Sequence, residues 1–114
     1  MRTFLGKRPI AQGELYIRRV DRLPDGVVEV APVNGHVIVG HSETGHHHVM
    51  DAARTTMYRL PEEIYECFLV VSEADALTHL RAFATHEPIL HPPGVYQVRR
   101  GREYVPEGWR PQQD

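Results

Sequence analysis

The sequence contains very little cysteine and very little lysine. Cys67 is the only cysteine and Lys7 the only lysine among 114 residues. A single cysteine cannot form an internal disulfide, and it excludes the thiolate clusters that bind zinc. Cys67 lies in the apolar run YECFLVV, which predicts a buried, inert thiol rather than a nucleophile. The other twelve basic residues are arginines, which favour bidentate and partly buried pairing.

Long apolar runs and a strong net charge are absent as well. No run approaches the roughly 18 residues of a membrane span, and the N-terminal segment lacks the apolar region of a signal peptide. The net charge is −2, so no global field attracts nucleic acid or an anionic membrane. The basic stretch Arg99–Tyr104 is interrupted by Glu103, which also argues against nucleic acid. We therefore expect a soluble, cytoplasmic protein.

The spacing of turn residues predicts the fold class. The length fits one domain, residues 1–114, with 1–12 and 108–114 as poorly held tails. Turn signals recur about every ten residues, and Asn34-Gly35 is the strongest hairpin signal. The pattern is typical of an all-β fold, a small antiparallel barrel or sandwich of about seven strands. The predicted strands are Glu14–Val20, Val27–Val33, His36–Gly40, His46–Asp51, Thr55–Leu60, Tyr65–Val71 and Val95–Arg100.

Two segments carry helix signals within this β pattern. Ser72–Phe83 begins with Ser72 three residues before Asp75 and has leucines at helical spacing, which would make a capped helix. The same segment also alternates as a strand, and we favour the strand because its neighbours are strands. Pro61-Glu62-Glu63 indicates at most one short helical turn before the next strand.

Histidines are concentrated in two regions of the chain. Four of the eight lie between His41 and His48. If Ser42–Gly45 is a hairpin loop, side-chain alternation places six residues on one face in opposing pairs. These pairs are His41 with His46, Val39 with His48, and Val37 with Met50.

The pattern His46-x-His48 predicts a metal site. Alternate residues of a strand stand roughly 7 Å apart, so two imidazoles can converge on one ion. Neutral nitrogen ligands suit zinc, iron, manganese or nickel rather than calcium or magnesium. Further ligands must come from a distant segment, and we favour His79 and His86 there. We expect His91 at an exposed strand end and His36 in a surface turn.

Part of this pattern resembles the cupin motif. Gly40, five residues and then His46-x-His48 is similar to its first half, in which a strand offers two metal-binding histidines into a small barrel. The glutamate that cupins place four or five residues later is replaced by Ala52 and Ala53. The turn of the second cupin motif fits Pro92-Pro93-Gly94, but Gln97 stands at its ligand position.

A longer stretch of the chain, residues 36–114, resembles a group of short β-proteins encoded in bacteria and their phages. The resemblance rests on HSETGHHHVM, HLRAFATHEPI and the ending PPGVYQVRRGREYVPEGWRPQQD. The group has no assigned activity, so it implies genomic context rather than chemistry. Its T-G-H-x-H and T-H-E-P-I type segments imply the same four positions, His46, His48, His79 and His86.

Two hypotheses of function follow. In the first, these four histidines bind a divalent transition metal at the mouth of the fold. An open coordination position there would permit water activation or oxygen chemistry, with Glu43 or Glu87 as the base. In the second, the protein is a phage-related accessory or virion protein whose histidines only pack and hydrogen-bond. Its contacts, including those of a homo-oligomer, would then be made by strand edges and the aromatic tail.

Overall fold

The computed structural model of the protein describes residues 1–4, 6–40, 47–79 and 87–100. These residues form eleven β-strands and no helix. The strands are β1 (Arg2–Thr3), β2 (Ile10–Gln12), β3 (Leu15–Val20), β4 (Val28–Val30), β5 (His36–Gly40), β6 (His48–Asp51), β7 (Thr55–Arg59), β8 (Glu66–Val71), β9 (Asp75–His79), β10 (Ile89–His91) and β11 (Gly94–Arg100).

The strands form two sheets packed as a sandwich. The five-stranded sheet has the order β1-β10-β9-β6-β5, and the six-stranded sheet has the order β2-β3-β11-β8-β7-β4. Every pairing is antiparallel except that of β1 with β10. The prediction of an all-β fold is therefore confirmed, and of the two predicted architectures the described strands fit the sandwich rather than a closed barrel.

Each of the seven predicted strands is present, with its ends shifted by no more than three residues. The four additional strands are β1, β2, β9 and β10. Part of the range 1–12, predicted as a tail, contributes β1 and β2 and buries Phe4 between the sheets. The predicted tail 108–114 lies outside the described residues.

The core lies between the sheets because alternate residues of each strand face inward. From the five-stranded sheet it takes Val37, Met50, Leu77 and Ile89, and from the six-stranded sheet Leu15, Ile17, Leu69, Tyr96 and Val98, all at most 2% exposed. The same cluster also contains Phe4, Val39, Met57, Cys67 and Val71. The buried thiol predicted at Cys67 is confirmed.

The Ser72–Phe83 segment forms a strand over its described part. β9 covers Asp75–His79, while residues 80–83 lie outside the described residues. Ser72 does not cap a helix. Its hydroxyl instead donates a hydrogen bond to the Arg54 carbonyl at 3.1 Å. The Asp75 carboxylate is also engaged, accepting bonds from Thr55 Oγ1 at 2.7 Å and the Asp51 backbone N–H at 2.8 Å. The helical alternative for β9 is therefore wrong.

The predicted helical turn near Pro61 is a hydrogen-bonded turn, closed by the Glu63 N–H donating to the Leu60 carbonyl at 3.0 Å. In the part of the chain that the structure describes, no helix could cross a membrane.

Two valines at opposite extremes of exposure test the core. Val37 is 2% exposed and Val28 is 56% exposed. Val37→Ala should lower the free energy of unfolding by about 2 kcal/mol, because it removes buried methyl groups and leaves a cavity. The matched change Val28→Ala should alter it by no more than about 0.5 kcal/mol. Urea denaturation of both variants measures the difference, and equal losses would contradict this assignment of the core.

Candidate metal centre

One end of the sandwich, here called the histidine end, gathers strand ends from both sheets. In the five-stranded sheet, His48 at the start of β6 lies directly opposite His79 at the end of β9. In the six-stranded sheet, β2 ends at Gln12, which pairs with Leu15 at the start of β3. Leu15 in turn pairs with Arg100 at the end of β11. The described residues that flank segments 41–46, 80–86 and 101–114 therefore all lie at this end.

The β5–β6 hairpin follows the predicted register in part. Val37 lies opposite Met50 as predicted. Gly40 rather than Val39 lies opposite His48, because the register shifts between Ile38 and Gly40. A bulge of this kind adds one residue to a strand and bends it. The predicted pair of His41 with His46 lies outside the described residues.

Gly40 packs closely against Leu15. A Cβ built on Gly40 would lie 3.0 and 3.2 Å from the two methyl carbons of Leu15, which is tighter than ordinary packing. The same Cβ would lie 3.5 Å from Cδ2 of the His48 ring, an ordinary van der Waals distance. A larger residue at position 40 would therefore displace Leu15.

His48 is buried, with 5% of its surface exposed, and it hydrogen-bonds to Gln12. Its Nδ1 lies 2.7 Å from Gln12 Oε1. The Gln12 amide nitrogen donates to two backbone carbonyls, Leu77 O at 3.0 Å and Glu87 O at 2.9 Å. Since carbonyls only accept, these two bonds fix which end of the Gln12 amide is the NH2 group.

The orientation of Gln12 fixes the tautomer of His48. Oε1 can only accept, so His48 Nδ1 carries the proton and donates it. The lone pair of a neutral ring then resides on Nε2, which acts as an acceptor or a metal ligand. Gln12 itself is 2% exposed and joins β2 of one sheet to the other sheet.

The other predicted ligands are described only in part. The backbone of His79 lies directly opposite that of His48 in the pair of strands β9 and β6. His46 and His86 lie outside the described residues, as does Glu43. Among the residues that the structure does describe, no group of three or more histidine, cysteine or acidic side chains is arranged to hold a metal ion.

Glu87, a predicted base, is engaged in an ion pair. Its carboxylate lies 2.7 Å from the N-terminal amine, and the side chain is half exposed. The hydrogen bond and the positive charge of this amine lower the pKa of Glu87. A lowered pKa makes a carboxylate a weaker proton acceptor. The backbone carbonyl of Glu87 contributes more directly, because it holds the amide of Gln12.

His91 is fully buried in the core, so the expected exposed strand end is wrong. Its ring packs edge-on against Phe4 and Tyr96, with centroids 4.8 and 4.6 Å away. Nδ1 lies 3.0 Å from the Ile89 carbonyl and donates to it, while the buried Nε2 has no hydrogen-bond partner in the described structure. Burial lowers the pKa of His91 to about 4, against the opposing effects of the Ile89 carbonyl and Asp75.

Gln12 is the residue that the sequence prediction missed, because it was assigned to the N-terminal tail. A signal was present in the sequence. Gly13-Glu14 is a two-residue turn between Gln12 and Leu15, and Gly13 has a φ of 58°. A Gly-x pair between two alternating segments is a known hairpin signature. This signature predicts that Gln12 lies on a strand paired with the strand that begins at Leu15.

One comparison with known proteins matches most of the chain. The model of a protein family described as a domain of unknown function matches residues 11–101. The matched region begins within β2 and ends one residue after β11, so it contains Gln12 and both histidine regions. No curated protein and no solved structure matches the chain significantly.

Protonation of His91 should make the fold sensitive to acid. Between pH 4 and 6.5 the unfolded chain binds a proton at His91 that the folded chain excludes, so the free energy of unfolding falls as pH falls through this window. The loss from pH 7 to pH 5 should be about 2 kcal/mol. Urea denaturation at several pH values measures it. His91→Leu should remove this pH-dependent loss of stability, whereas the exposed control His36→Leu should keep it. If both variants show the same pH dependence as the unaltered protein, His91 is not the group responsible.

Proposed function

Since the chain belongs to the DUF8820 family, a domain of unknown function, we propose a function from its own residues: it binds a divalent transition metal at the histidine end. The proposed ligands are His46, His48, His79 and His86. Four neutral imidazole nitrogens suit zinc, iron, manganese or nickel. The site would lie between segments of the chain that are far apart in sequence.

The observation that carries the proposal is the bond between His48 and Gln12. A metal-binding histidine almost always donates its other ring N–H to a carbonyl or carboxylate, which fixes the tautomer and the direction of the ring. His48 makes such a bond through Nδ1, at 2.7 Å from Gln12 Oε1. The acceptor is itself held by two backbone carbonyls. This bond is the type of support that metal-binding histidines have, and a metal would be coordinated through Nε2.

The strand register supports His79 as a second ligand. Residues directly opposite in an antiparallel pair have Cβ atoms about 4.5–5.5 Å apart, close enough for two side chains to share one ion. His79 occupies that position relative to His48. His46 precedes His48 by two residues, and His86 directly precedes Glu87, whose carbonyl accepts from Gln12. Both remaining ligands are thus adjacent in sequence to parts of the Gln12 network.

A metal held by these ligands would give the site a chemical capability beyond binding. With one coordination position open, the ion would activate water or take part in oxygen chemistry. Glu43 or Glu87 would act as the base. Metal binding is the function that we propose for the domain, and catalysis would follow from it where a substrate reaches that open position.

Metal analysis tests the ligands. Untagged protein should carry close to one equivalent of zinc, iron, manganese or nickel. The variant with both His46→Ala and His48→Ala should lose it, because two of four ligands are removed. His36→Ala is the matched control, since His36 is exposed at the start of β5, and it should keep the metal. Absence of metal from the unaltered protein after reloading with each ion would overturn the proposal.

Gln12 should affect metal binding without touching the ion. Gln12→Leu removes the acceptor for His48 Nδ1 and should weaken metal affinity by roughly 10- to 100-fold. Gln12→Glu keeps an acceptor oxygen and should retain affinity within about threefold of the unaltered protein. Competition with a chromophoric chelator measures the affinities, and circular dichroism confirms that each variant is folded. Equal affinity in folded Gln12→Leu and in the unaltered protein would refute this role.

A second candidate function rests on an exposed strand edge. β4 is an edge strand of the six-stranded sheet. Val28, within it, is 56% exposed, and Val33, just after it, is 52% exposed. Exposed apolar edges pair readily with other chains. The exposed edge supports a phage-related accessory or virion protein that acts in the cytoplasm or the virion. Such a protein would act through contacts with other copies of itself or with other proteins, and its histidines would be structural.

Light scattering separates the two candidates. If the edge strand carries the function, metal-free protein should form an oligomer that Val28→Lys dissociates, because a lysine opposes edge pairing. Glu73→Lys is the control, because Glu73 is exposed and lies between β8 and β9, outside the edge strand β4. A metal-free monomer would eliminate this candidate.

A further inference from the structure

A cavity of about 160 Å³ opens between the two sheets, and no histidine is among the described residues that line it. Its walls come from β4, β5, β7, β8 and β11. The inner surface is apolar and includes Val39, Met57, Cys67 and Val98, each at most 8% exposed. A known apolar cavity of about 150 Å³ accepts a benzene molecule, so this one has room for an apolar group of similar size.

Two arginines lie at the rim of this cavity and share one neutral acceptor. Arg59 Nη2 donates to the Ile64 carbonyl at 3.2 Å, and Arg100 Nη2 donates to the same oxygen. Both side chains line the cavity. Two guanidinium groups therefore converge on one carbonyl, which carries no charge to balance them.

The carboxylate at the rim is already neutralised. Glu66 also lines the cavity, but its Oε2 forms a salt bridge with Arg99 and accepts from Gln97 Nε2 at 3.1 Å. Within the described residues, Arg59 and Arg100 thus have no carboxylate partner. The rim carries two unbalanced positive charges above an apolar interior.

The thiol of Cys67 lines the same cavity. Burial raises the pKa of its thiol to about 12, while the charges of Arg59 and Arg100 act in the opposite direction. The thiol is consequently neutral at physiological pH and contributes to the apolar surface. The two guanidinium groups are near enough to affect it, which places their charge at the entrance to the apolar space.

We propose that this cavity binds a small monocarboxylate with an apolar body of about six carbon atoms, such as hexanoate or benzoate. The carboxylate would be held by Arg59 and Arg100, because guanidinium matches carboxylate with paired, charge-assisted hydrogen bonds. The apolar body would occupy the space lined by Met57, Cys67 and Val98. Affinity requires both parts, so neither a short carboxylate nor an uncharged ligand satisfies the site.

Titration calorimetry of the full chain, treated with chelator to remove metal, tests this proposal. Hexanoate and benzoate should bind at one site, whereas acetate and hexanamide should bind at least tenfold more weakly. Arg59→Gln and Arg100→Gln should each weaken hexanoate binding at least tenfold. Arg22→Gln is the control, since Arg22 is exposed and follows β3 at the other end of the sandwich.

Three results would overturn the proposal. The first is no binding of hexanoate or benzoate, and the second is equal binding of acetate and hexanoate, which would leave no role for the apolar interior. The third is loss of hexanoate binding in a folded variant carrying both His46→Ala and His48→Ala, which would show that the carboxylate binds to the histidines rather than to Arg59 and Arg100. Unchanged hexanoate binding in that variant supports the cavity as the binding site. This result is expected whether or not the histidines bind metal.

Discussion

The side-chain amide of Gln12 is the interaction on which the histidine end depends. It makes three hydrogen bonds in a buried position, two as a donor to Leu77 O and Glu87 O and one as an acceptor from His48. Leaving one such buried group unpaired costs about 1–3 kcal/mol, so the three bonds specify one arrangement. They connect β2 of the six-stranded sheet to β6, β9 and Glu87, which lies two residues before β10, and they orient the His48 ring.

A second buried polar residue organises the opposite end of the five-stranded sheet. The Asp75 carboxylate accepts from Thr55 Oγ1 and from the backbone N–H of Asp51, so it ties the start of β9 to the turn between β6 and β7. The apolar core lies between these two polar anchors. One anchor supports a histidine, a residue type that binds transition metals, whereas the other joins a carboxylate to a hydroxyl and a backbone N–H. This difference places the candidate chemistry at the histidine end.

Much of the fold could be predicted because most strands carry a local signal. Alternating Val, Ile and Tyr between turn residues identified seven strands, and the pair Val37 with Met50 followed from the hairpin. Three features could not be predicted from the sequence, because contacts between residues far apart in sequence determine them. The bulge at Val39 depends on the close packing of Gly40 against Leu15. The burial of His91 depends on Phe4, far away in sequence. The role of Gln12 depends on carbonyls contributed by β9 and Glu87.

The account is tested most directly by the tautomer of His48 and its response to metal. Two-bond nitrogen–proton NMR spectra of the histidine rings distinguish Nδ1–H from Nε2–H and show which nitrogen binds an added ion. In metal-free protein, His48 should carry its proton on Nδ1, and added zinc should shift its Nε2 together with ring nitrogens of His46, His79 and His86. A proton on Nε2, or a His48 ring unaffected by saturating zinc, would contradict the account.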